Sequence, residues 1–172
     1  ERAQALVLAG DIYDGDWADY ATGRFFAQQM GVLHEHGIPV FSLYGEVRRP
    51  TLEMLDHFDV LLVDLQDVGC RIYTFITTLL YVLEAAAKHG KTVWVLDRPN
   101  PAGRPIEGLK LRDGWESFVG AGPMPMRHGL TLGELGIWFV SHFRLAVDYR
   151  VIPMRGWNPD AAPGHGWPLG ER

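Results

Sequence analysis

The stretch from Asp59 to Pro101, DVLLVDLQDVGCRIYTFITTLLYVLEAAAKHGKTVWVLDRPNP, constrains this chain more than any other. It opens on Val60, Leu61, Leu62 and Val63, a short wholly apolar run of the kind buried in a parallel sheet. Polar residues and a breaker follow: Asp64, Gln66, Asp67 and Gly69. From Arg71 to His89 the apolar positions Ile72, Phe75, Ile76, Leu79, Leu80, Leu83 and Ala87 recur at three and four residues, so one helical face is apolar. Gly90 closes that helix, with Lys88 and His89 in its last turn, where cations suit the dipole. A second buried run, Thr92 to Leu96, ends in Asp97, Arg98 and Pro99. The pattern is a βαβ unit, whose crossover is right-handed in nearly all proteins. Both strands end in polar clusters at their carboxyl ends, where open α/β sheets place ligands.

The flanking segments extend this alternation. Ala5 to Ala9 reads as a buried strand, and Asp14-Gly15-Asp16 as a turn. A helix spans about Asp19 to His36, with Phe25, Phe26, Met30 and Leu33 on its apolar face. Gly37 stops it, and Ile38 to Leu43 is the next strand. Thr51 caps a short helix through Phe58, with Glu53 in its first turn. Pro101 to Pro125 is rich in Gly and Pro, a loop long enough to suggest function or disorder. Thr131 and Glu134 form a capping-box pattern for a helix to about Phe143, and Val147 to Ile152 is a last strand. The tail from 158 to 172 is mostly breakers and is expected to be poorly ordered. The expected fold is therefore α/β, a three-layer Rossmann-like domain with a mostly parallel sheet of about five strands.

Composition excludes several classes. A net charge of −5 leaves no electrostatic footprint for nucleic acid. No apolar run approaches the roughly 20 residues of a membrane span. Cys70 is the single cysteine, which excludes an internal disulfide framework and a cysteine-based zinc site. The chain starts almost inside a strand, with no signal-peptide layout, as if its beginning were missing. A compartment therefore cannot be read from it.

Three constellations could carry chemistry. Gly10-Asp11-x-x-Asp14 ends the first strand, where carboxylates can hold hard divalent metals. The bland alternative is a loop carboxylate that binds no metal tightly. The second constellation gathers Gln66, Asp67, Arg71 and Tyr73 after one central strand, and Asp97, Arg98 and Asn100 after the other. A carboxylate beside guanidinium groups can act as acid, base or hydroxyl acceptor, and the arginines can hold a substrate carboxylate. The bland alternative is an ion pair tying two strand ends together. The third is Arg127-His128-Gly129 before the capped helix, a cation beside free backbone N–H groups.

Residues 1–40, with ALVLAGDIYDGDWADYATGRFFAQQMGVLHEHGIPVF, resemble the calcineurin-like phosphoesterases of the DNA-repair exonuclease type. Asp11 matches that family's metal-bridging aspartate. The family's later Gly-Asn-His motif is replaced by Tyr44-Gly45-Glu46-Val47, and its Asp-x-His has no counterpart. From about Val40 through Trp157 the text resembles another family. IPVFSLYGEVRRPTLEMLDHFDVLLVDLQDVGCRIYTF, VWVLDRPNP, EGLKL, SFVG, PMPMRHGLTLGEL and VIPMRGW look like DUF1343, the exo-β-N-acetylmuramidases of the NamZ type. That resemblance implies a Rossmann-like domain, partial here over 41–157, with the active site in a cleft against a second domain. It also implies a hydrolase of the bacterial cell wall, extracellular or periplasmic, that removes terminal N-acetylmuramic acid from peptidoglycan fragments.

On this resemblance Asp67 is the carboxylate nearest the chemistry, with Asp97 as the fallback second carboxyl and His128 as the third catalytic candidate. Arg71, Arg98 and Arg127 suit the lactyl carboxylate of the sugar, and Gln66, Tyr73, Asn100 and His128 line the pocket. Neither a metal nor an organic cofactor is expected, since such chemistry rests on two carboxyl groups. The expected partner is a peptidoglycan-derived saccharide, with no nucleic acid and no membrane. Self-association is expected of a sheet lacking its partner domain. The family's Ser-Pro-Glu-His-Gly, upstream of its Ser-Leu-Tyr-Gly block, is absent. Glu35-His36-Gly37 repeats three of its letters but abuts Ile38-Pro39-Val40, with the wrong spacing and flanks. The alternatives are a metal-dependent phosphoesterase through Asp11 and Asp14, or a muropeptide-binding or inert remnant.

Overall fold

A computed structural model describes residues 4–8, 20–44 and 46–158. The chain forms two compact units that divide at Asp59/Val60. In the first, β1 (Leu6–Leu8), α1 (Tyr20–Glu35) and β2 (Val40–Ser42) make a parallel βαβ turn, followed by α2 (Leu52–Leu55). Leu6 pairs with Val40 and Leu8 with Ser42. Gly37 ends α1 with φ of 68°, a left-handed conformation that suits glycine. Phe26, Met30 and Leu33 are half-buried on α1, whereas Phe25 is 62% exposed. Positions 26, 30 and 33 share a helical face, and a neighbour at 25 is turned about 100° away from it. The Thr51 hydroxyl caps α2 by accepting the Met54 N–H at 3.4 Å.

The second unit holds β3 (Val60–Val63), α3 (Thr74–His89), β4 (Thr92–Leu96), α4 (Leu132–His142) and β5 (Asp148–Ile152). Its strands pair in the order β3-β4-β5, all parallel. The fold is α/β and Rossmann-like. Among the described residues β1 pairs with β2, and β3 with β4 and β5. Apolar runs locate strands, but which edges pair is a tertiary matter that a three-residue strand does not specify.

Register sorts the second unit's side chains cleanly. Val63, Val93 and Val95 are buried on one face of the sheet, and Val60, Leu62 and Ile152 are exposed on the other. α3 and α4 pack on each other. Right-handed crossovers that step in one direction along the sheet put both helices on the same face. A second helical layer is not supplied by this unit's described residues. Ile76, Leu79, Leu80, Leu83 and Ala86 of α3 meet the core, as do Leu132, Leu135 and Phe139 of α4. Ile72 is 53% exposed because the helix begins two residues later, at Thr74, and Ala86 rather than Ala87 is the buried alanine.

Gly90 closes α3 at φ 63° as expected, and α4 carries a complete capping box between Thr131 and Glu134. Because the strands are parallel, the loops after β3 and β4 leave from the same edge. The long connection from Asp97 to Leu130 is ordered there by backbone bridges of Arg127 to Glu107 and Cys70, and of Ser117 to Gly120.

Candidate active site

Two ties join the ends of β3 and β4. Asp64 and Arg98 form a two-pronged ion pair, Nε to Oδ1 at 2.6 Å and Nη2 to Oδ2 at 3.0 Å, with both side chains about half exposed. The Arg98 hydrogen bond lowers the Asp64 carboxyl below its ordinary value and raises the guanidinium in return. Gln66 donates its amide to the Asp67 carbonyl at 2.6 Å and the Pro99 carbonyl at 2.9 Å.

Past these ties the chain turns inward and buries Asp67, which is 3% exposed. Its Oδ2 accepts the Gly69 N–H at 2.9 Å. Gly69 stands at φ +80°, and a Cβ there would lie 2.4 Å from Asn100 Oδ1, so neither its backbone nor its surroundings admit a side chain. Asn100 in turn has its amide fully engaged. It accepts from Ala102 N and donates to Gly103 O and Leu130 O. The turn after β4 is thereby locked to the segment before α4.

That segment brings His128 to Asp67. The imidazole is buried, and its Nε2 lies 3.2 Å from Asp67 Oδ2. Its Nδ1 accepts the Leu130 N–H at 3.2 Å, so the proton of the neutral ring belongs on Nε2, facing the carboxylate. The Nε2 approach is close but off-line for a hydrogen bond, and Asp67 Oδ1 has no hydrogen-bond partner among the described residues. The result is a buried carboxylate with one oxygen anchored and one open to a donor. A buried polar atom without a partner marks a place for a water or a ligand.

Arg71 comes from the same loop as Asp67 and is 9% exposed. Its Nη1 donates to the carbonyls of Leu109 and Met124, both at 2.8 Å, and its Nε has no partner among the described residues. Arg127 donates to Glu107 Oε2 at 2.8 Å and to the Ala102 carbonyl. Of the three arginines expected to hold an anion, Arg71 has only carbonyl partners among the described residues, while Arg98 and Arg127 already have carboxylates. Tyr73 is the N-cap residue of α3, half-buried, with its ring edge-on to Phe75.

Asp97 stands apart from this cluster in function. Its Oδ2 accepts the Thr131 hydroxyl at 2.8 Å, and its Oδ1 accepts the N–H groups of Gly133 at 2.9 Å and Arg98 at 3.1 Å. Both oxygens are thus engaged, two of the three donors belonging to the start of α4. Asp11 and Asp14 lie outside the described residues. Among the described residues no group of three His, Cys, Asp or Glu side chains could hold a metal ion, and no helix is long and apolar enough to cross a membrane.

Sequence reasoning missed Arg104. Its guanidinium meets Glu134 Oε2 at 2.5 Å and Oε1 at 2.9 Å, and it donates to the Gly129 carbonyl at 3.2 Å. The capping box that holds Glu134 was legible, but the arginine lies 30 residues away in an aperiodic loop. Burial pushes the Glu134 carboxyl up, yet the bonds from Arg104 and Thr131 outweigh it and hold the group below its ordinary value.

Residues 21–168 match the family model described as the N-terminal part of exo-β-N-acetylmuramidase NamZ. The chain belongs to the NamZ family. It is 48% identical over 152 residues to the peptidoglycan β-N-acetylmuramidase NamZ of Bacillus subtilis strain 168, covering 88% of this chain and 34% of that protein. Two DUF1343 family proteins of Bacteroides fragilis NCTC 9343 share the fold. One superimposes with a TM-score of 0.68 at 42% identity, covering 76% of this chain and 35% of its own. The other gives 0.63 at 30% identity, covering 77% and 44%. The chain thus spans about a third of the length of the curated NamZ relative. The NamZ match begins inside α1, so residues 21–40 lie within it.

Proposed function

We propose that this chain is the Rossmann-like part of a glycoside hydrolase that releases terminal N-acetylmuramic acid from peptidoglycan fragments. The observation that carries the reading is the 48% identity over 88% of the chain to a protein named for that activity. Glycosidases of most kinds place two carboxyl groups about the scissile bond. Asp67 is our candidate for one of them. Gly69 N–H donates to its Oδ2 and the His128 Nε2 proton faces the same oxygen, which aims the group, while Oδ1 is left for a donor on the substrate or a water.

His128 in this reading orients the carboxylate with Nε2, its Nδ1 accepting the Leu130 N–H. Arg71 takes the lactyl carboxylate of the sugar, because that anion would give a buried guanidinium an ionic partner that the described residues do not supply. Arg98 and Arg127 serve by bracing the loops through Asp64 and Glu107, and Gln66, Tyr73 and Asn100 shape the walls. Asp97, with its oxygens engaged, holds α4 instead of attacking or protonating. The chemistry needs no metal or organic cofactor in this scheme.

Release of 4-nitrophenol from its β-N-acetylmuramic acid glycoside tests the proposal, with Asp67→Asn alongside. Wild-type turnover that Asp67→Asn loses supports it. A folded wild-type chain with no turnover would sink it for this chain.

A further inference from the structure

His128 can face Asp67 only if the backbone after it is held, and that backbone is held from outside the Asp67 loop. Gly129 follows at φ +71°, and a Cβ on it would lie 2.4 Å from the Arg104 carbonyl oxygen. The carbonyls of Gly129 and Leu130 each have a side-chain donor, Arg104 Nη1 at 3.2 Å and Asn100 Nδ2 at 2.9 Å. The Leu130 N–H is the donor that fixes the imidazole's tautomer. A rotation of the Gly129–Leu130 peptide would withdraw it.

Arg104 is itself oriented by α4. Glu134 grips the guanidinium with both oxygens while its Oε2 also accepts the Thr131 N–H at 2.9 Å. The Thr131 hydroxyl accepts the Glu134 N–H and donates to Asp97 at the end of β4. A continuous set of bonds therefore runs from the β4 end through the first turn of α4 to Arg104, and from Arg104 to the peptide beside His128. A rigid fork is needed at Arg104, because it must meet two carboxylate oxygens and a carbonyl at once.

We propose that Arg104 is a positioning residue for the site, fixing the Gly129–Leu130 peptide and through it the tautomer and aim of His128 at Asp67. The role of that aim in glycoside hydrolysis rests on the function proposed above; the positioning itself does not. The test uses ¹⁵N-histidine labelling of the whole chain, with the His128 signals assigned through His128→Gln. Wild-type His128 should show one protonated and one unprotonated nitrogen, a single tautomer. Lysine keeps the charge beside Glu134 but not the fork, so Arg104→Lys should regain most of the melting temperature that Arg104→Gln loses. The His128 signals of Arg104→Lys should nevertheless move toward the average of two tautomers.

Where the wild type turns over, Arg104→Lys should lower kcat on the order of tenfold to a hundredfold with KM little changed, since misplacement by about an ångström costs that much. A purely structural role would lower stability and leave the His128 signals of Arg104→Lys superimposable on wild type, and that result overturns the proposal. If Arg104→Gln fails to fold, the lysine variant alone decides. A wild type without turnover would refute the hydrolase reading while the tautomer spectra still judge Arg104.

Discussion

Asp97→Asn and Asp97→Ala separate the two parts a carboxylate at the end of β4 could play. Asp97 accepts from Thr131 Oγ1, Gly133 N and Arg98 N. The Arg98 amide is exposed, so water replaces the carboxylate there at little cost. The other two donors sit partly buried at the first turn of α4. Alanine leaves both without a partner, and at roughly 1.5 to 2 kcal/mol for each charge-assisted bond the loss comes to about 3 to 4 kcal/mol. Asparagine keeps an acceptor for Gly133, and its NH₂ can donate to the Thr131 oxygen. What it forfeits is the charge at a helix N-terminus and the strength of the charged bonds, about 1 to 2 kcal/mol together. Urea unfolding followed by tryptophan fluorescence measures both, and the 4-nitrophenyl glycoside reports turnover beside them. The expected result is a graded loss of stability with turnover largely kept in Asp97→Asn. An Asp97→Asn chain as stable as wild type but without turnover would refute the reasoning, because Asp97 would then be a reacting group. An alanine variant that loses under about 1 kcal/mol would refute it from the other side, by showing that those bonds hold little.

Three further outcomes are expected. Glu134 is held below its ordinary carboxyl value in the folded chain, so its contribution to stability is complete above the unfolded value of 4.5 and fades as pH falls through the lowered folded value. Its side chain is 34% exposed, so the effect is modest, and unfolding of Glu134→Gln between pH 6 and about 3 should show a shallower acid limb than wild type. An equal acid limb in the two chains would show that Arg104 does not hold the ionised form. Gly136→Ala should destabilise by about 1 to 3 kcal/mol despite the gain in helix propensity, because the new Cβ would stand 2.1 Å from the Tyr149 hydroxyl oxygen. On a Tyr149→Leu background that cost should largely vanish in the same unfolding assay. Arg98→Ala should cost less than about 1 kcal/mol, since its pair with Asp64 is half exposed; a larger loss by thermal melting would mean the strand ends depend on it.

The candidate residues were legible in the chain, their wiring hardly at all. Asp67, Arg71 and Asn100 stand among the polar residues that follow buried strands and His128 just before a capped helix, and all four are among the few buried polar side chains of the described residues. Their neighbours in the same motifs went elsewhere. Arg98, next to Asp97, leaves the cluster for Asp64, and Asp97 spends both its oxygens on α4 and the Arg98 amide. Motif and spacing cannot distinguish these outcomes, because adjacent residues at a strand end point to different sides and only the packed loop decides which side is buried.

What the sequence determined by itself was local. Apolar runs of four and five residues set β3 and β4, three-and-four spacing set α3, Gly90 ended it, and Thr131 with Glu134 started α4. Each follows from interactions within a few residues, so the letters carry them directly. Tertiary structure alone decided that β1 takes β2 as its partner and β4 lies between β3 and β5, that Leu130 N–H sets the His128 tautomer against Asp67, and that Arg104 reaches Glu134 across 30 residues. Those depend on which partners a buried polar group finds once water is excluded, and distance along the chain holds no record of that choice.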